Sequence, residues 1–330
     1  MMLVTGGAGY LGSHLAKELL RRGRKVRIFD VQSTKYIPEG AEFIQGDMRD
    51  SEAVRNAVEG IDTVFHLAFV QSLSKLPERE RWDININGTE NFLKASVEKG
   101  VKRFVHTSTI EIYGTHPPYP CPEDSPTDNP VGWYGRHKVE TEKILWRYHR
   151  EQGLDATAVR MPTVCGPGFY NHRPLLMLMD RVIDGKTVAV IEDGGTKGDF
   201  VYYQDVIQGY LLAAEKKEAA GEAFNLSCDE SSTHLEIIQA LRRAVGSRSR
   251  IVKIPSSLIK PFLYFLTAIK VTDLPSYQFD YLIYHQVFSV EKAKRLLGYE
   301  PTKTAAEAVV ELVKGYLQDR EFVKRRSRSY

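Results

Sequence analysis

The sequence has few cysteines and no strong excess of charge. Its 330 residues include only three cysteines, Cys121, Cys165 and Cys228, which lie far apart and form no C-x-x-C pair. A cysteine-based zinc site is excluded, a disulfide framework is disfavoured, and a reducing, cytoplasmic location is expected. The formal net charge of +3 is too small to indicate nucleic-acid binding. No His/Asp/Glu cluster has the spacing of metal ligands, so we expect no metal.

Long apolar runs and a leader pattern are also missing. Glycine at position 6 interrupts the apolar N-terminus, which argues against a signal peptide. The nearest approach to a membrane span, Pro261 to Ile269, is flanked by Lys260 and Lys270, and a spanning helix needs about 20 apolar residues. Neither a Ser/Gly-rich linker nor an internal repeat divides the chain. We therefore expect no membrane span and one compact body.

The chain opens with the pattern of a nucleotide-binding turn. Met2 to Thr5 is typical of a short buried strand, and the residues after position 12 have helical periodicity. Between them Gly7, Gly9 and Gly12 satisfy G-x-G-x-x-G. Glycines there allow a tight turn and let the backbone approach a pyrophosphate, to which the helix N-terminus offers amide donors.

A carboxylate follows at the end of the next predicted strand, Lys25 to Phe29. Asp30 lies about 20 residues after the glycines, where an acidic residue accepts hydrogen bonds from the adenosine ribose. It would also repel the 2′-phosphate of NADP. The sequence therefore predicts NAD as the cofactor.

Strands and helices continue to alternate. Predicted strands occupy Glu42–Ile44, Thr63–Leu67, Arg103–Thr107 and Ala156–Arg160, and predicted helices occupy Ser51–Glu59 and Trp82–Lys99. This order predicts an α/β fold, a Rossmann-type doubly wound parallel sheet, whose ligands bind at the carboxyl ends of the strands. Asp30, Asp47, Ala68 and Thr109 all fall at such ends.

Tyr134 and Lys138 begin a run of helical periodicity that extends to about Arg150. Residues four apart on a helix share a face, so phenol and ammonium are expected in one pocket. A nearby cation lowers the pKa of a tyrosine, and such a tyrosine can take the proton of an alcohol while a hydride leaves the same carbon.

Taken together, these segments resemble the extended short-chain dehydrogenases/reductases of the NAD-dependent epimerase/dehydratase type. The resemblance covers nearly the whole chain. The matching segments are T-G-G-A-G-Y-L-G at 5–12, G-D-M-R-D at 46–50, H-L-A at 66–68, N-I-N-G-T at 85–89, T-S-T-I-E-I-Y-G at 107–114, Y-G-R-H-K at 134–138, G-D-F-V at 198–201 and L-G-Y-E-P at 297–301.

The resemblance assigns roles to individual residues. It implies that Asp47 and Met48 hold the adenine, that Thr109 orients the substrate alcohol, that Tyr134 is the base, and that Lys138 also bonds the nicotinamide ribose. The complete set expected to bind the cofactor is Gly6, Gly7, Gly9, Tyr10, Leu11, Gly12, Asp30, Asp47, Met48, Leu67, Ala68, Tyr134 and Lys138.

Glu111 is the ambiguous member of the candidate catalytic set. If the strand through Thr109 persists, the side chains of both residues face the same side. Family members that dehydrate sugars carry Thr-Asp-Glu here, and the missing Asp argues against dehydration. Glu111 remains a candidate second acid/base, a substrate contact, or a solvated carboxylate at the strand exit.

Two histidines are expected to be structural. His137 stands where the family usually has Ser, and its position beside Lys138 turns it off the catalytic face, so packing or a pocket wall is expected. His66 ends a buried strand and is expected to be a hydrogen-bonded core residue.

The second half changes character. We expect residues 1–165 to form the NAD-binding portion, with later strands added from the second half, and residues 166–330 to be mainly a smaller substrate-binding portion. Thr163 and Gly198 stand where nucleotide-sugar members commonly carry Asn and Arg. Arg173 and Lys197 are candidate substitutes for that Arg as diphosphate ligands.

The stretch from Ile254 to Phe288 is unusually apolar and aromatic. It is consistent with ordinary core plus a homodimer face. The alternative is a wall for a lipid-like substrate, as in the hydroxysteroid-dehydrogenase-like members. The basic tail, Lys324 to Arg328, is expected to be a solvated end.

The leading hypothesis is an NAD-dependent enzyme that transfers hydride at a secondary alcohol of a nucleotide sugar, in the manner of an epimerase. The alternatives are a 3β-hydroxysteroid-dehydrogenase-like oxidoreductase on a lipid-like alcohol, a sugar-acid decarboxylase that uses Glu111, and a non-catalytic NAD-sensing scaffold. The intact Thr109, Tyr134 and Lys138 set argues against the scaffold.

Overall fold

Strands and helices alternate along the whole described chain. The structure is a computed structural model that describes residues 1–72, 74–258, 261 and 280–327. Its strands are β1 (Met2–Thr5), β2 (Val26–Asp30), β3 (Glu42–Gln45), β4 (Thr63–His66), β5 (Arg103–Thr109), β6 (Ala156–Met161), β7 (Thr163–Cys165), β8 (Val188–Ile191), β9 (Lys197–Gly198), β10 (Phe200–Tyr202), β11 (Ala223–Asn225), β12 (Ser232–Thr233) and β13 (Ile251–Ile254).

The helices lie between these strands and at the C-terminus. They are α1 (Tyr10–Arg21), α2 (Ser51–Val58), α3 (Glu78–Trp82), α4 (Gly88–Glu98), α5 (Gly132–Gln152), α6 (Arg173–Ile183), α7 (Tyr203–Glu215), α8 (His234–Ala244), α9 (Glu291–Leu297) and α10 (Ala305–Ser327). A π-helical turn, Asp83–Asn87, joins α3 to α4, and a 3₁₀ turn, Ile110–Tyr113, follows β5.

Seven parallel strands form the central sheet, in the order β11-β6-β5-β4-β1-β2-β3. The chain winds outward from β1 to β3, returns to place β4 on the other side of β1, and winds outward again. Thr5 pairs with Phe29 on one side and with His66 on the other. The strand order therefore reverses between β1 and β4, which is where doubly wound sheets bind their ligands. The predicted Rossmann-type fold is confirmed.

The sheet is apolar on both faces, as expected for parallel strands covered by helices. Leu3 of β1 packs toward α2 and α4, whereas its neighbour Val4 packs toward α1 and α7. The two core clusters are therefore separated by the alternation of side chains along each strand. Phe92 of α4 and Tyr210 of α7 are the large buried residues on the two sides.

The later residues contribute to the sheet and also build smaller layers. Strand β11 pairs with β6 at the sheet edge, while β7 pairs with β10 and β8 with β13. Helices α6, α8 and α10 share a third apolar cluster with these short strands. Within the described residues, no helix combines the length and the apolar content needed to cross a bilayer.

Two local expectations are wrong. The helix predicted from Trp82 begins at Glu78 and contains the π-helical turn. The condition of the same-face prediction for Thr109 and Glu111, a strand that continues to Glu111, is also not met, because β5 ends at Thr109 and a 3₁₀ turn follows. The Thr109 hydroxyl accepts a hydrogen bond from the Glu111 amide at 3.3 Å, so the threonine caps that turn.

Most of the aromatic stretch discussed above lies outside the described residues, namely 259–260 and 262–279. Of its described members, Phe288 is buried and Leu282 is exposed. For the basic tail, the described side chains end at Lys324.

Candidate active site

A cavity of about 830 Å³ opens at the carboxyl ends of β1, β2, β4 and β5. One half is lined by the glycine turn and the ends of β2 and β4. The other half is lined by Thr109, Glu111 and Tyr134, together with residues 161–164, 169, 171–174 and 198–200. Residues from both halves of the chain thus line one cavity, and a cleft of this kind is a common place for a ligand.

The glycine turn is shaped by contacts that only a residue without Cβ can make. Gly6 has φ +66°, and a Cβ at Gly12 would lie 2.4 Å from the Gly6 carbonyl oxygen. Helix α1 then begins with no side-chain cap and no acidic residue in its first turn. Its N-terminal amides remain available to an anion, so the turn fits a dinucleotide pyrophosphate.

Asp30 lies at the end of β2 and lines the cavity beside this turn. Its Oδ2 accepts a hydrogen bond from the Ala8 amide at 3.0 Å, and its Oδ1 accepts one from the Gln32 amide at 3.3 Å. The carboxylate therefore fixes the glycine turn while it faces the cavity. This arrangement fits the ribose of NAD.

Asp47 and Met48 line the same half of the cavity. Arg49 donates to both carboxylate oxygens of Asp47 and holds the pKa of that carboxyl below its ordinary value. Met48 is buried and packs against Gly88. Leu67 and Ala68 lie at the end of β4, where their amides donate to the Thr5 hydroxyl at 3.1 Å.

Tyr134, Thr109 and Glu111 meet in the other half of the cavity, where α5 begins beside the end of β5. The Glu111 carbonyl oxygen accepts from the Val131 amide at 2.8 Å, which joins the 3₁₀ turn to the start of α5. A Cβ at Gly135 would approach that carbonyl to 3.0 Å. The small residue at position 135 therefore lets the Tyr134 turn lie close to Glu111.

Lys138 lies below this group and does not line the cavity. It is almost fully buried, and its ammonium donates to the Thr107 carbonyl oxygen at 2.7 Å. The expected lowering of the pKa of Tyr134 by Lys138 stays a prediction, with the ammonium 5.8 Å from the centre of the Tyr134 ring. Burial raises the pKa of Tyr134, and the nearby Glu111 and Tyr210 raise it further.

Glu111 is not a solvated carboxylate. Its Oε2 is fully buried and has no hydrogen-bond partner among the described residues. Burial raises the pKa of Glu111 from its ordinary value of 4.5 to about 7. The strand-exit interpretation is therefore wrong, and the acid/base and substrate-contact interpretations remain predictions.

Only some of the residues predicted to contact the substrate lie at the cavity. Thr163 and Arg173 line the cavity, whereas Lys197 and the glycine-turn residue Gly7 do not. Lys197 lies on the two-residue strand β9, where its amide donates to His285 at 3.0 Å. The expectation for Lys197 is thus corrected, because its strand places the neighbouring Gly198 at the cavity.

Comparison with known proteins places the chain in a family. Residues 2–227 match the NAD dependent epimerase/dehydratase family. The chain belongs to this family. It is an enzyme of that kind, and its cofactor is NAD, as the glycine turn and Asp30 predict.

The relatives of this epimerase/dehydratase-family chain differ in substrate. An uncharacterized protein, y4nG, of Sinorhizobium fredii is 32% identical over 96% of this chain and 79% of its own. A 3 beta-hydroxysteroid dehydrogenase/Delta 5-->4-isomerase of Mycobacterium tuberculosis is 29% identical over 99% and 93%. The solved UDP-glucose 4-epimerase of Thermotoga maritima with UDP-glucose is 27% identical, has a TM-score of 0.78, and covers 96% of this chain and 98% of its own.

The two histidines behave differently in this family member. His66 bonds Thr5 at 3.0 Å and Thr89 at 3.1 Å, and burial lowers its pKa to about 3, so it is a neutral core residue as expected. His137 is also buried, but it bonds both Asn85 and Glu78. Sequence reasoning missed these contacts. The signals available were the departure from Ser at position 137 and the N-I-N-G-T motif that contains Asn85.

Phe69 is the other residue that sequence reasoning missed. Its ring centre lies 3.4 Å from the Lys138 ammonium and 5.6 Å from the Tyr134 ring, which it meets edge to face. The only available signal was its position directly after the H-L-A motif at the end of β4. The ring covers the buried lysine from the side of the cavity.

Proposed function

We propose that the protein is an NAD-dependent dehydrogenase that oxidises a secondary alcohol of a lipid-like substrate. The observation that carries this proposal is the charge of the substrate half of the cavity. Among its described lining residues, Arg173 is the single permanent cation. A sugar-nucleotide diphosphate calls for cationic, bidentate partners, which this half supplies sparsely.

The other ionisable groups of this half add no positive charge. Burial lowers the pKa of His172 to about 4 and that of His234 to about 4, so both are neutral near pH 7. Asp199 and Glu111 add two carboxyl groups, whose pKa values burial raises. The balance of charge disfavours a dianionic diphosphate.

The N-terminus of α6, which borders the cavity, offers few amides to an anion. The Leu175 amide donates to His172 Nδ1 at 3.1 Å, and Pro174 has no amide hydrogen. Much of the donor capacity of a free helix N-terminus is therefore already used. Apolar side chains also line the cavity, namely Phe69, Val70, Leu76, Ile84, Ile110, Met161, Phe200, Leu282 and Phe288.

The mechanism uses the three residues at the start of α5 and the end of β5. NAD, when bound, accepts the hydride from the alcohol carbon. Tyr134 takes the hydroxyl proton of the substrate, and Thr109 donates to or accepts from the same oxygen to orient it. Tyr134 can take that proton only as a phenolate, so the phenol first releases its own proton to solvent, and the charge of protonated Lys138, 5.8 Å from the ring centre, favours that form.

A nucleotide sugar is the second candidate substrate. It is favoured by the likeness to the T. maritima UDP-glucose 4-epimerase and by the presence of Arg173 at the cavity wall. In that case the enzyme would retain NADH and return the hydride to the sugar. The two candidates differ in net redox, because a dehydrogenase releases NADH at each turnover.

The deciding experiment is a substrate panel with NAD, followed by NADH absorbance. We expect steady NADH formation with 3β-hydroxysteroids or long-chain secondary alcohols, and none with Tyr134→Phe. The same panel includes UDP- and dTDP-sugars, whose epimers are analysed by chromatography. Turnover confined to the nucleotide sugars would overturn the proposal and favour the second candidate.

A further inference from the structure

A chain of hydrogen bonds joins the cavity wall to helix α5. The Val70 amide donates to Asn85 Oδ1 at 2.7 Å. The other end of the same side chain, Asn85 Nδ2, lies 3.2 Å from His137 Nδ1, and His137 Nε2 lies 3.3 Å from Glu78 Oε1. Val70 lines the cavity, and His137 directly precedes Lys138 on α5.

The direction of each hydrogen bond in this chain follows from its first member. A backbone N–H can only donate, so the Asn85 oxygen must accept from Val70 and its nitrogen must face His137. His137 Nδ1 is then an acceptor, which leaves the proton of the neutral ring on Nε2, where it is donated to Glu78. One set of hydrogen-bond directions thereby gives each of Asn85, His137 and Glu78 a partner of the right kind.

The surroundings keep His137 in this neutral form. Its ring is edge to face with Trp82 and with Trp133, each at 5.3 Å between centres. Burial is the main effect that lowers the pKa of His137, the cations Arg81 and Arg136 lower it further, and Glu78 opposes them. Lys138, adjacent in sequence, adds a buried cation nearby.

This chain of hydrogen bonds ends next to a residue that contacts the catalytic side chains. Phe69 precedes Val70, and its ring contacts both the Lys138 ammonium and the edge of Tyr134. Releasing the Val70 amide would free the backbone that carries Phe69. The ring would then lose its fixed place over Lys138, and misplacing a catalytic group by about 1 Å can cost up to about 10²-fold in rate.

We infer that His137 is a positioning residue, which acts through Asn85 to hold Val70 and Phe69 against Lys138 and Tyr134. The acceptor at Nδ1 is the part of the ring that matters for this role. The contact from Nε2 to Glu78 is secondary, because Glu78 is largely exposed and such contacts contribute little.

Two substitutions distinguish the contact made by the Nδ1 atom of His137 from the contact made by its Nε2 atom. His137→Asn places an oxygen where the imidazole has Nδ1, so it keeps the bond to Asn85 and loses the one to Glu78. His137→Gln reaches the position of Nε2 and loses the acceptor for Asn85. Lys143→Gln, on the exposed side of the same helix, is the control for a substitution in α5.

The first measurement, amide hydrogen exchange at Val70, needs no substrate. We expect the His137→Gln variant to exchange at least about tenfold faster than wild type, the worth of one hydrogen bond, while His137→Asn and Lys143→Gln match wild type. In wild type and Lys143→Gln, but not in His137→Asn, acidification should release Val70, because a protonated Nδ1 cannot accept from Asn85; the release should come below the ordinary imidazole pKa of about 6.5, since burial lowers the pKa of His137. Equal exchange in all variants, or no acid release in wild type, overturns the inference.

The second measurement is kcat with any alcohol that the wild type oxidises, a nucleotide sugar included. We expect kcat to fall at least about tenfold in His137→Gln with NAD affinity unchanged, and the Asn variant to restore it. The kcat measurement rests on the hydride transfer of the proposed function, whereas the hydrogen-exchange measurement does not. Loss of Val70 protection with an unchanged kcat refutes the positioning role, as does an Asn variant that is as slow as the Gln variant.

Discussion

The ammonium nitrogen of Lys138 lies 3.4 Å from the centre of the Phe69 ring and 5.8 Å from the centre of the Tyr134 ring. A buried cation is costly unless it is compensated. Here the face of the phenyl ring and the Thr107 carbonyl oxygen offset part of that cost, and burial still lowers the pKa of Lys138 well below its ordinary value. The contacts of the ammonium are thus with groups other than the Tyr134 phenol, whose pKa is raised chiefly by its own burial.

Tyr134 should therefore remain a neutral phenol in the protein without cofactor. Burial raises its pKa above the ordinary value of 10.0, and the carboxyl of Glu111 adds to the shift. We expect the ultraviolet titration of wild type and of Tyr134→Phe to coincide up to about pH 10. A tyrosinate signal near pH 7 that disappears in the variant would show that Lys138 already controls the phenol.

Tyr134→Phe should abolish turnover and leave NAD binding intact. The change removes only the hydroxyl that takes the substrate proton, and a positioned base contributes about 10²- to 10⁴-fold. The measurement is NADH formation in parallel with calorimetric titration of NAD. A variant that retains most of the wild-type rate would mean that another group, with Glu111 as the nearest carboxyl, is the base.

The fold was predictable because its signals are local. A buried strand such as β4 is a short apolar run, and the glycine turn and Asp30 are read from spacing alone. The positions of most strands were therefore predicted to within one or two residues. The same local reasoning places Thr109 and Tyr134 at the cavity, because strand ends and helix starts follow from the pattern.

The rest of the site depends on contacts between distant residues. The bond between Asn85 and His137 joins positions 52 apart in the chain, and no periodicity predicts it. The burial of Glu111 follows from the turn that Thr109 caps, and not from the strand that was expected. Phe69, which follows β4, and Lys138 are brought together because α5 packs on β5, the neighbour of β4 in the sheet. These features are set by tertiary packing, which sequence patterns do not encode directly.

Asp30 should determine the choice between NAD and NADP through its charge. Because its Oδ2 also accepts from the Ala8 amide, two variants are needed. Asp30→Asn keeps an acceptor for that amide and removes the charge, so NADP affinity should rise about tenfold or more, since close like charges cost several kcal/mol. Asp30→Ala should in addition weaken NAD, because the glycine turn loses its anchor.

Calorimetric titration of both cofactors distinguishes these outcomes. Wild type should bind NAD more tightly than NADP, and the Asn variant should narrow the difference chiefly by binding NADP better. Equal affinities of wild type for the two cofactors would contradict the role of Asp30 as the discriminating charge.

Glu111→Gln should make stability less dependent on pH. Burial raises the pKa of Glu111 from 4.5 to about 7, so the folded state holds this proton more tightly than the unfolded state. Ionising the buried carboxyl therefore destabilises wild type as pH rises through that window, by up to about 3 kcal/mol, with no effect below about pH 4.5. The glutamine of the variant does not ionise, so its free energy of unfolding should not fall in this way as pH rises.

The measurement for Glu111 is urea unfolding of both proteins from about pH 5 to about pH 8. The free energy of unfolding of wild type, relative to the variant, should fall across this range. Parallel curves would show that Glu111 titrates in the folded protein as it does in the unfolded chain, and that its carboxyl is solvated after all.

Glu142 and Arg160 form a buried ion pair, and the effect of replacing one residue on stability should depend on whether the other is present. Arg160 Nε donates to Glu142 Oε1 at 3.0 Å, and Arg160 Nη2 donates to Glu142 Oε2 at 2.6 Å. The side chain of Arg160 is only 7% exposed and that of Glu142 only 6%. Removing one partner leaves the other charge buried, so Glu142→Leu should lower the free energy of unfolding by about 3–5 kcal/mol.

The double variant, Glu142→Leu with Arg160→Met, tests whether that loss comes from the uncompensated charge. Two apolar side chains of similar volume remove both charges, so the double variant should be more stable than Glu142→Leu alone. Full recovery is not expected, because Arg160 also donates to the Glu123 carbonyl oxygen at 2.7 Å and to the Tyr113 hydroxyl at 2.8 Å. Additive losses in urea unfolding, with the double variant the least stable, would mean that packing and these further hydrogen bonds, and not the buried charge, account for the pair.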